Sequence, residues 1–410
     1  MSDLSQPPCA AAACTTSLRE PPAAPLTARW LVMLLAAASG LSVANVYYAQ
    51  PLLDALSLEF GMASADVGLV VTATQAGSVA ALLLLVPLGD RFDRRALMAI
   101  QMVLLCAALL AVCVAGSPTT LLLAMLAVGL LGTASTQGLI AYAAATAAPN
   151  ERGRVVGTVQ AGVVIGLLLA RVFAGALADA WNWRAVYLVS AALSLPLAAL
   201  LWRTLPRSPR PQERLSYGRL LASMFGLLAH DRVLRTRGVI AMLMFAALSI
   251  FWSAVVLPLS APPFSLSHTA IGSLGLVGVL GALAAGRSGR WADRGLAQRT
   301  TGAALLLLMA CWLPLALMPH APWALVVGVV ALDLAGQAIH VTNQSMIFRS
   351  SSAAASRLVG CYMVFYAVGS GAGAIASTQV YATAGWNGVC LLGAGVSALA
   401  LVFWKATAKD

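Results

Sequence analysis

The chain has 410 residues, 60% of them hydrophobic and only 10% charged, with a net charge of +11 and a mean hydropathy of +0.87. A soluble domain carries roughly 25% charged residues, so this composition excludes an ordinary soluble enzyme and indicates a chain that crosses a bilayer many times. The positive charge does not mark a nucleic-acid binder, because Arg and Lys stand in short clusters between apolar runs and form no basic face interleaved with aromatics.

Residues 1–28, rich in Pro, Ala and Ser, read as a disordered tail. No cleavable leader is expected: the first apolar run is long enough to span, and Asn45, Tyr47 and Tyr48 do not form a small-residue cleavage site. Twelve spans follow, each near the roughly 20 apolar residues that cross a bilayer core. Their expected limits are 29–49, 66–88, 96–116, 119–146, 155–177, 184–202, 238–260, 269–286, 301–319, 322–346, 358–380 and 387–404. Spans three and four, and nine and ten, are tight hairpins, joined by Gly116-Ser117-Pro118 and Pro319-His320-Ala321.

The positive residues orient these spans. With the N-terminus inside, 23 of the 25 Lys and Arg fall on inner segments, eight of them between Arg203 and Arg237. Arg184 lies in an outer loop and Arg171 within a span. Both termini are therefore expected on the cytoplasmic side. Residues 204–237 form a basic linker between a bundle over 29–203 and a second over 238–404, with a cytoplasmic tail at 405–410. Within the linker, 215–229 reads either as an amphipathic helix on the membrane surface or as a solvated connection. The seven cysteines show no metal-ligand spacing and read as small hydrophobes, so no metal is expected.

The two bundles are related in sequence. A knot, Pro87-Leu88-Gly89-Asp90-Arg91-Phe92-Asp93-Arg94-Arg95, returns in part as Gly289-Arg290-Trp291-Ala292-Asp293-Arg294-Gly295. The same shift of 203 positions carries Asp90 onto Asp293, Arg91 onto Arg294, Arg154 onto Arg357, Gly157 onto Gly360, Gly166 onto Gly369 and Trp183 onto Trp386. One register over so much chain indicates an internal repeat.

Polar residues inside spans are the candidates for function. Asp333 is the only carboxylate in the interior of a span, and a carboxylate at mid-membrane costs several kcal/mol. Asp333, Gln337, His340 and Gln344 fall at i, i+4, i+7 and i+11 on one helix face. Asp333 reads as a proton carrier or as a structural carboxylate holding a donor. His340 reads as a relay, a substrate contact or a structural group. Arg171 is the only cation in a span, at a depth roughly 6 to 8 Å from that of Asp333. It either serves an anionic substrate or Asp333, or snorkels to the outer surface. Asn45, Tyr48 and Gln50 in span one, and Thr72, Thr74, Gln75 and Ser78 in span two, add hydrogen-bonding groups, with Asn45 and Tyr48 the preferred cavity residues. Gly272, Gly275, Gly278 and Gly281 recur every three residues along span eight and read as packing positions on a moving seam.

Twelve spans arranged six plus six, a basic middle segment and a Gly/Asp-Arg knot after spans two and eight resemble the major facilitator superfamily over residues 29–404. Against that family's loop motif, G-x-L-x-D-R-x-G-R-R, Leu88, Asp90, Arg91, Arg94 and Arg95 match, while Val86 and Asp93 replace the glycines; the second copy keeps Gly289, Asp293 and Arg294. Asn45 to Leu53, Glu151-Arg152-Gly153-Arg154-Val155-Val156-Gly157 and Trp183-Arg184 are similar to the bacterial drug, sugar and nucleoside exporter branch. The antiporter motif of span five keeps Gly162 and Gly166 but has Leu167 for its Pro and Ala170-Arg171 for its Gly pair, and Ala134 stands where span four carries an arginine.

The resemblance implies an all-α membrane protein of twelve transmembrane helices in two six-helix pseudo-repeat bundles, each built of inverted three-span units. It implies that span ten lines a central cavity. It also implies that Asp90, Arg91 and Arg94, with Asp293 and Arg294 as the second copy and Arg154 and Arg357 as partners, latch the halves in one access state. The expected protein is a monomer in the bacterial inner membrane. It needs no cofactor and exports a small organic compound against inward proton flow. A uniporter or importer of a sugar, nucleoside or organic acid is the alternative. A membrane enzyme would need clustered acid, base or metal ligands at one depth, and a transporter-like sensor would need an output domain.

Overall fold

A computed structural model of the chain describes residues 28–148, 150–206, 216–350 and 355–407. The expected tail at 1–28 lies almost wholly outside the described residues, as do the side chains of Asp90 and Asp293, whereas the expected tail at 405–410 begins within the last helix, which runs to Thr407. Among the described residues the structure is helical throughout, with no strand. The spanning helices of the first half are α1 (Arg29–Tyr47), α2 (Leu69–Ala80), α3 (Arg94–Cys113), α4 (Pro118–Thr146), α5 (Arg152–Ala180) and α6 (Trp183–Thr204). Those of the second are α7 (Arg232–Ala254), α8 (His268–Trp291), α9 (Ala297–Ala310) and α10 (Pro322–Ser350), followed by a run, Ala355–Thr407, that is two helices. Gly385, at φ 61 and ψ −159, breaks that run into α11 (355–384) and α12 (386–407). This conformation suits a residue without a Cβ, and it reverses the chain at a single position.

Local sequence explains the other irregularities. Pro51 lacks the N–H that would continue α1, so the chain tightens over Gln50–Leu52 before the short helix Leu53–Phe60. The expected straight end of span one is therefore a bend. Pro87 does the same to α2, which widens into a π turn over Ala81–Leu85 and then tightens over Val86–Asp90. Helix starts are capped by their own side chains: Ser117 with Thr120 on α4, Asn182 on α6 and Asp231 on α7.

Lipid supplies little hydrophobic drive between helices, so close backbone approach holds such bundles together. In α5 a Cβ on Gly162 would stand 2.3 Å from the Ala36 carbonyl oxygen, and one on Gly166 would stand 2.2 Å from that of Gly40, so α1 and α5 touch at their backbones. Rings fill the rest. Tyr48, Phe173, Tyr187, Trp183 and Phe60 stack in the first half, and Trp386 meets Phe251 in the second. Trp183 opens α6 and Trp386 opens α12, as the 203-residue repeat requires. The cysteines among the described residues are free, four of them buried.

The amphipathic reading of the linker holds, over Tyr217–His230. Part of its apolar face meets protein: Leu220 and Met224 are buried, Met224 in a cluster with Leu234, Leu358 and Cys361. The halves meet along α5–α8 and α2–α11. They approach closely at the end of the bundle opposite the arginines. At the arginine-rich end a cavity of about 340 Å³ lies between them, with Arg94 and Arg152 on one side and Met224 and Arg357 on the other.

Candidate functional site

Deep between the halves is a second cavity, of about 90 Å³, with walls from both. The bend at Pro51 turns Tyr47 and Gln50 toward it, α2 contributes Gln75, and α5 contributes Arg171. From the second half come Phe245, Ser249 and Trp252 on α7, Gly278 on α8, Asp333 and Gln337 on α10, and Tyr366 and Ser370 on α11. Arg171 is 7% exposed, so it does not snorkel. Its Nε and Nη2 donate to Gln50 Oε1 at 3.1 and 2.8 Å, and its guanidinium stacks 4.0 Å over the Trp252 ring and 5.7 Å over that of Tyr47. The length of the arginine side chain closes the depth difference expected from the sequence.

Asp333 opens onto the same cavity. Gly278 lies so near that a Cβ there would stand 2.8 Å from Asp333 Oδ2, and Trp252, which supports the cation, lines the cavity with the carboxylate. Arg171 and Asp333 form no ion pair among the described residues, so each charge keeps capacity for a guest. In a water-poor site, charges that face one cavity interact far more strongly than in bulk water.

The polar stripe on α10 divides. Asp333 and Gln337 line the cavity, but His340 and Gln344 lie about 10 Å and about 16 Å from Asp333 along the axis, by the rise of 1.5 Å per residue. There α7 and α11 fill the space. His340 Nδ1 is 3.0 Å from the Tyr362 hydroxyl, its Nε2 is 3.3 Å from Gln344 Nε2, and its ring packs on Phe245. This corrects the expectation that the whole stripe faces one cavity.

Span one needs a similar correction. Asn45 and Tyr48, the preferred cavity residues, are buried inside the first half. Asn45 accepts from Ser190 Oγ at 2.7 Å and donates to the Leu41 carbonyl, and Tyr48 packs on Phe173 and Tyr187. Tyr47 and Gln50 take their place, since one residue along a helix rotates a side chain by about 100°.

The expected latch residues Arg94, Arg154 and Arg357 make contacts on their own sides of the seam. Arg94 donates to the Gly89 and Ala141 carbonyls, holding the knot to α4. Arg154 pairs with Glu151 at 2.7 Å, Arg357 donates to Ser223 Oγ at 2.9 Å, and Arg91 and Arg294 are exposed.

The opposite end is the closed one, and sequence reasoning missed how. Asp179, at the end of α5, caps the start of α8 in the other half. Its Oδ1 accepts from the His268 backbone N–H at 3.1 Å, and its Oδ2 accepts from the Thr269 N–H at 2.8 Å and from Thr269 Oγ1 at 2.6 Å. His268 Nδ1 is 3.0 Å from Asp179 Oδ1, and Nε2 is 3.1 Å from Asp54 Oδ1. Each ring nitrogen faces a carboxylate, the arrangement of an imidazolium, whose two nitrogens both donate. Alongside, a Cβ on Gly272 would stand 2.3 Å from the Arg171 carbonyl oxygen, and Gly275 and Gly278 also face α5, so these three glycines lie on the α5–α8 seam. The signal available beforehand was that Asp54 and Asp179 are carboxylates near span ends. Asp179→Ala removes four of these contacts, at about 1 kcal/mol or more each, and is expected to open this end. In a chain without its native cysteines, Ile271→Cys, which is buried here, then reacts at least about fivefold faster with an impermeant maleimide added from this side. An unchanged rate would remove Asp179 from the closure.

The sequence model of the Major Facilitator Superfamily matches residues 32–294. The Escherichia coli O157:H7 protein described as "Uncharacterized transporter YgaY" is 42% identical over 376 residues, which are 91% of this chain and 94% of that protein. Among solved structures, a bacterial homologue of the human lysosomal transporter Spinster, inward-facing and occupied, superposes with a TM-score of 0.76 at 15% identity, covering 93% of this chain and 96% of that one. The nucleoside transporter NupG does so with a TM-score of 0.70 at 18% identity, covering 93% and 99%.

Proposed function

We propose that this chain, which belongs to the major facilitator superfamily of membrane transporters, exports a small organic compound in exchange for inward-moving protons. The excess of arginine at one end makes that end cytoplasmic, in the inner membrane of a bacterium, with both termini on that side. The state described here is then open to the cytoplasm and closed to the outside.

One observation carries the reading: Asp333, from the second half, opens onto the same cavity as Arg171, from the first. Ionised, Asp333 attracts Arg171 across the seam; protonated, it does not. Proton occupancy therefore changes how strongly the halves are held at mid-membrane. The cycle alternates closures. Asp179, Asp54 and His268 hold the outer end in this state. When the inner end closes, the knot of Asp90, Arg91 and Arg94, with Asp293, Arg294, Arg154 and Arg357 near it, forms the opposing latch.

The test uses inverted vesicles energised by respiration, with an interior pH dye, and compounds added one at a time to wild type and Asp333→Asn. The expected result is a compound that releases protons from wild-type vesicles and not from the variant. Movement of a labelled compound by both, with no proton signal, overturns the coupling and makes the protein a uniporter.

A further inference from the structure

We infer that the Asp333–Arg171 cavity is built for a compact zwitterion, with its carboxylate on Arg171 and its ammonium on Asp333, so that one bound molecule bridges the two halves. This assignment rests on the reading of that cavity as the transport site.

The chemistry of the donors argues for it. Arg171 is held in place, not free to swing: Gln50 Oε1 takes Nε and Nη2, and the Trp252 ring supports the guanidinium plane. Nη1 takes no partner among the described residues and is left open. A fixed guanidinium edge suits a carboxylate. Asp333 lines the same cavity and forms no ion pair with Arg171. An anionic guest would meet Arg171 but leave Asp333 uncompensated beside it. A cationic guest would leave Arg171 so. Buried charges without partners are costly, and a zwitterion satisfies both at once.

Geometry agrees. Arg171, the Trp252 ring that supports it and Asp333 all line one small cavity, so a guest there is offered a cation and an anion together. Gly278 has no side chain where one would press on Asp333 Oδ2. Leu167, Leu168, Leu248 and Phe245 give the wall an apolar portion beside its polar groups, which leaves room for an apolar substituent, and a cavity of about 90 Å³ favours a small one. Amino-acid-like molecules with a free amine and a free carboxylate are the class that fits.

The assignment also gives the exchange a direct form. The ammonium and the proton compete for one carboxylate, so the site holds one or the other. One proton moving inward for each zwitterion moving outward carries one positive charge inward. Transport then responds to membrane potential as well as to the pH gradient.

The probes are alanine, valine, leucine and phenylalanine, each as the free L-amino acid, as its methyl ester (a cation) and as its N-acetyl derivative (an anion). Binding to the purified full chain is read from the rise in Tm with concentration. At least one free amino acid is expected to bind, and its ester and acetyl forms to bind roughly tenfold more weakly or worse. Arg171→Gln is expected to lose discrimination against the ester, and Asp333→Asn discrimination against the acetyl form. A structural role for either residue would not produce that reciprocal pattern. Should a variant fail to fold, the three-way comparison on wild type still decides. An ester or acetyl form that binds as well as its parent, or four free amino acids that fail to bind, overturns the assignment. Binding of a free amino acid without proton release in vesicles removes the coupling and leaves this assignment intact. Proton release driven by a methyl ester alone does the reverse.

Discussion

Arg171→Ala is expected to abolish transport, by on the order of a hundredfold or more, in a protein that still reaches the membrane at the normal level. The two parts of this expectation have separate causes. Truncation leaves Gln50 Oε1 without its donor, which costs about 1–3 kcal/mol, and removes the cation that stacks on Trp252. A bundle whose helices are joined by many backbone approaches absorbs a loss of that size. The cavity, however, loses the one cation that faces it among the described residues, and Asp333 loses the charge across the seam from it. Arg171→Lys keeps the charge but not the fork that Gln50 grips, so an intermediate loss is expected. Substrate flux and immunodetected membrane protein, measured on the same vesicles, separate transport from expression. Unchanged flux in Arg171→Ala would take Arg171 out of the mechanism.

Gly175→Val is expected to leave a folded protein that does not transport. A Cβ at Gly175 would stand 2.2 Å from the His268 carbonyl oxygen and 2.8 Å from the Thr269 nitrogen. Both are backbone atoms of the start of α8, and a rotamer change does not move them. The closed outer end is then sterically excluded. With that end open, the valine faces free space and adds no helix penalty relative to glycine. A chain that cannot close on one side cannot alternate, so transport falls at least about tenfold, the population of the closed state being cut by more than 1.4 kcal/mol. The Ile271→Cys reporter should also react faster from the outer side. Gly395→Val is the control, because Gly395 is exposed on α12 and nothing lies within 4 Å of its Cβ position. Full transport in Gly175→Val would show that the α5–α8 contact at this end is not obligatory.

Much of this protein is legible in one dimension because hydrocarbon tolerates so little. Each span must be apolar over its whole length, so the twelve spans stand out from the loops, and each charge within a span is conspicuous against its cost. Asp333 and Arg171 were identifiable for that reason alone. The 203-residue repeat defined the halves, and the spacing of Gly272, Gly275 and Gly278 marked a face of close approach, since a helix periodicity needs no partner to be read. The amphipathic segment that became Tyr217–His230 was visible by the same logic, though not what its apolar face would meet.

What the tertiary structure alone decided were choices between neighbours and meetings between strangers. Whether Tyr47 or Tyr48 faces the cavity depends on the phase of α1, and the bend at Pro51 then turns Gln50 inward to hold Arg171. Trp252 gives no signal in a span already rich in apolar residues, because its role is to support a guanidinium that comes from another helix. Asp54, Asp179 and His268 come from three distant parts of the chain and make sense only once α5 and α8 lie side by side. The sequence determined which residues must leave lipid, since that cost is local and falls on each residue separately. It did not determine where they go, because a hydrogen bond between helices depends on the rotation and depth of both, and those are set only when the whole bundle packs.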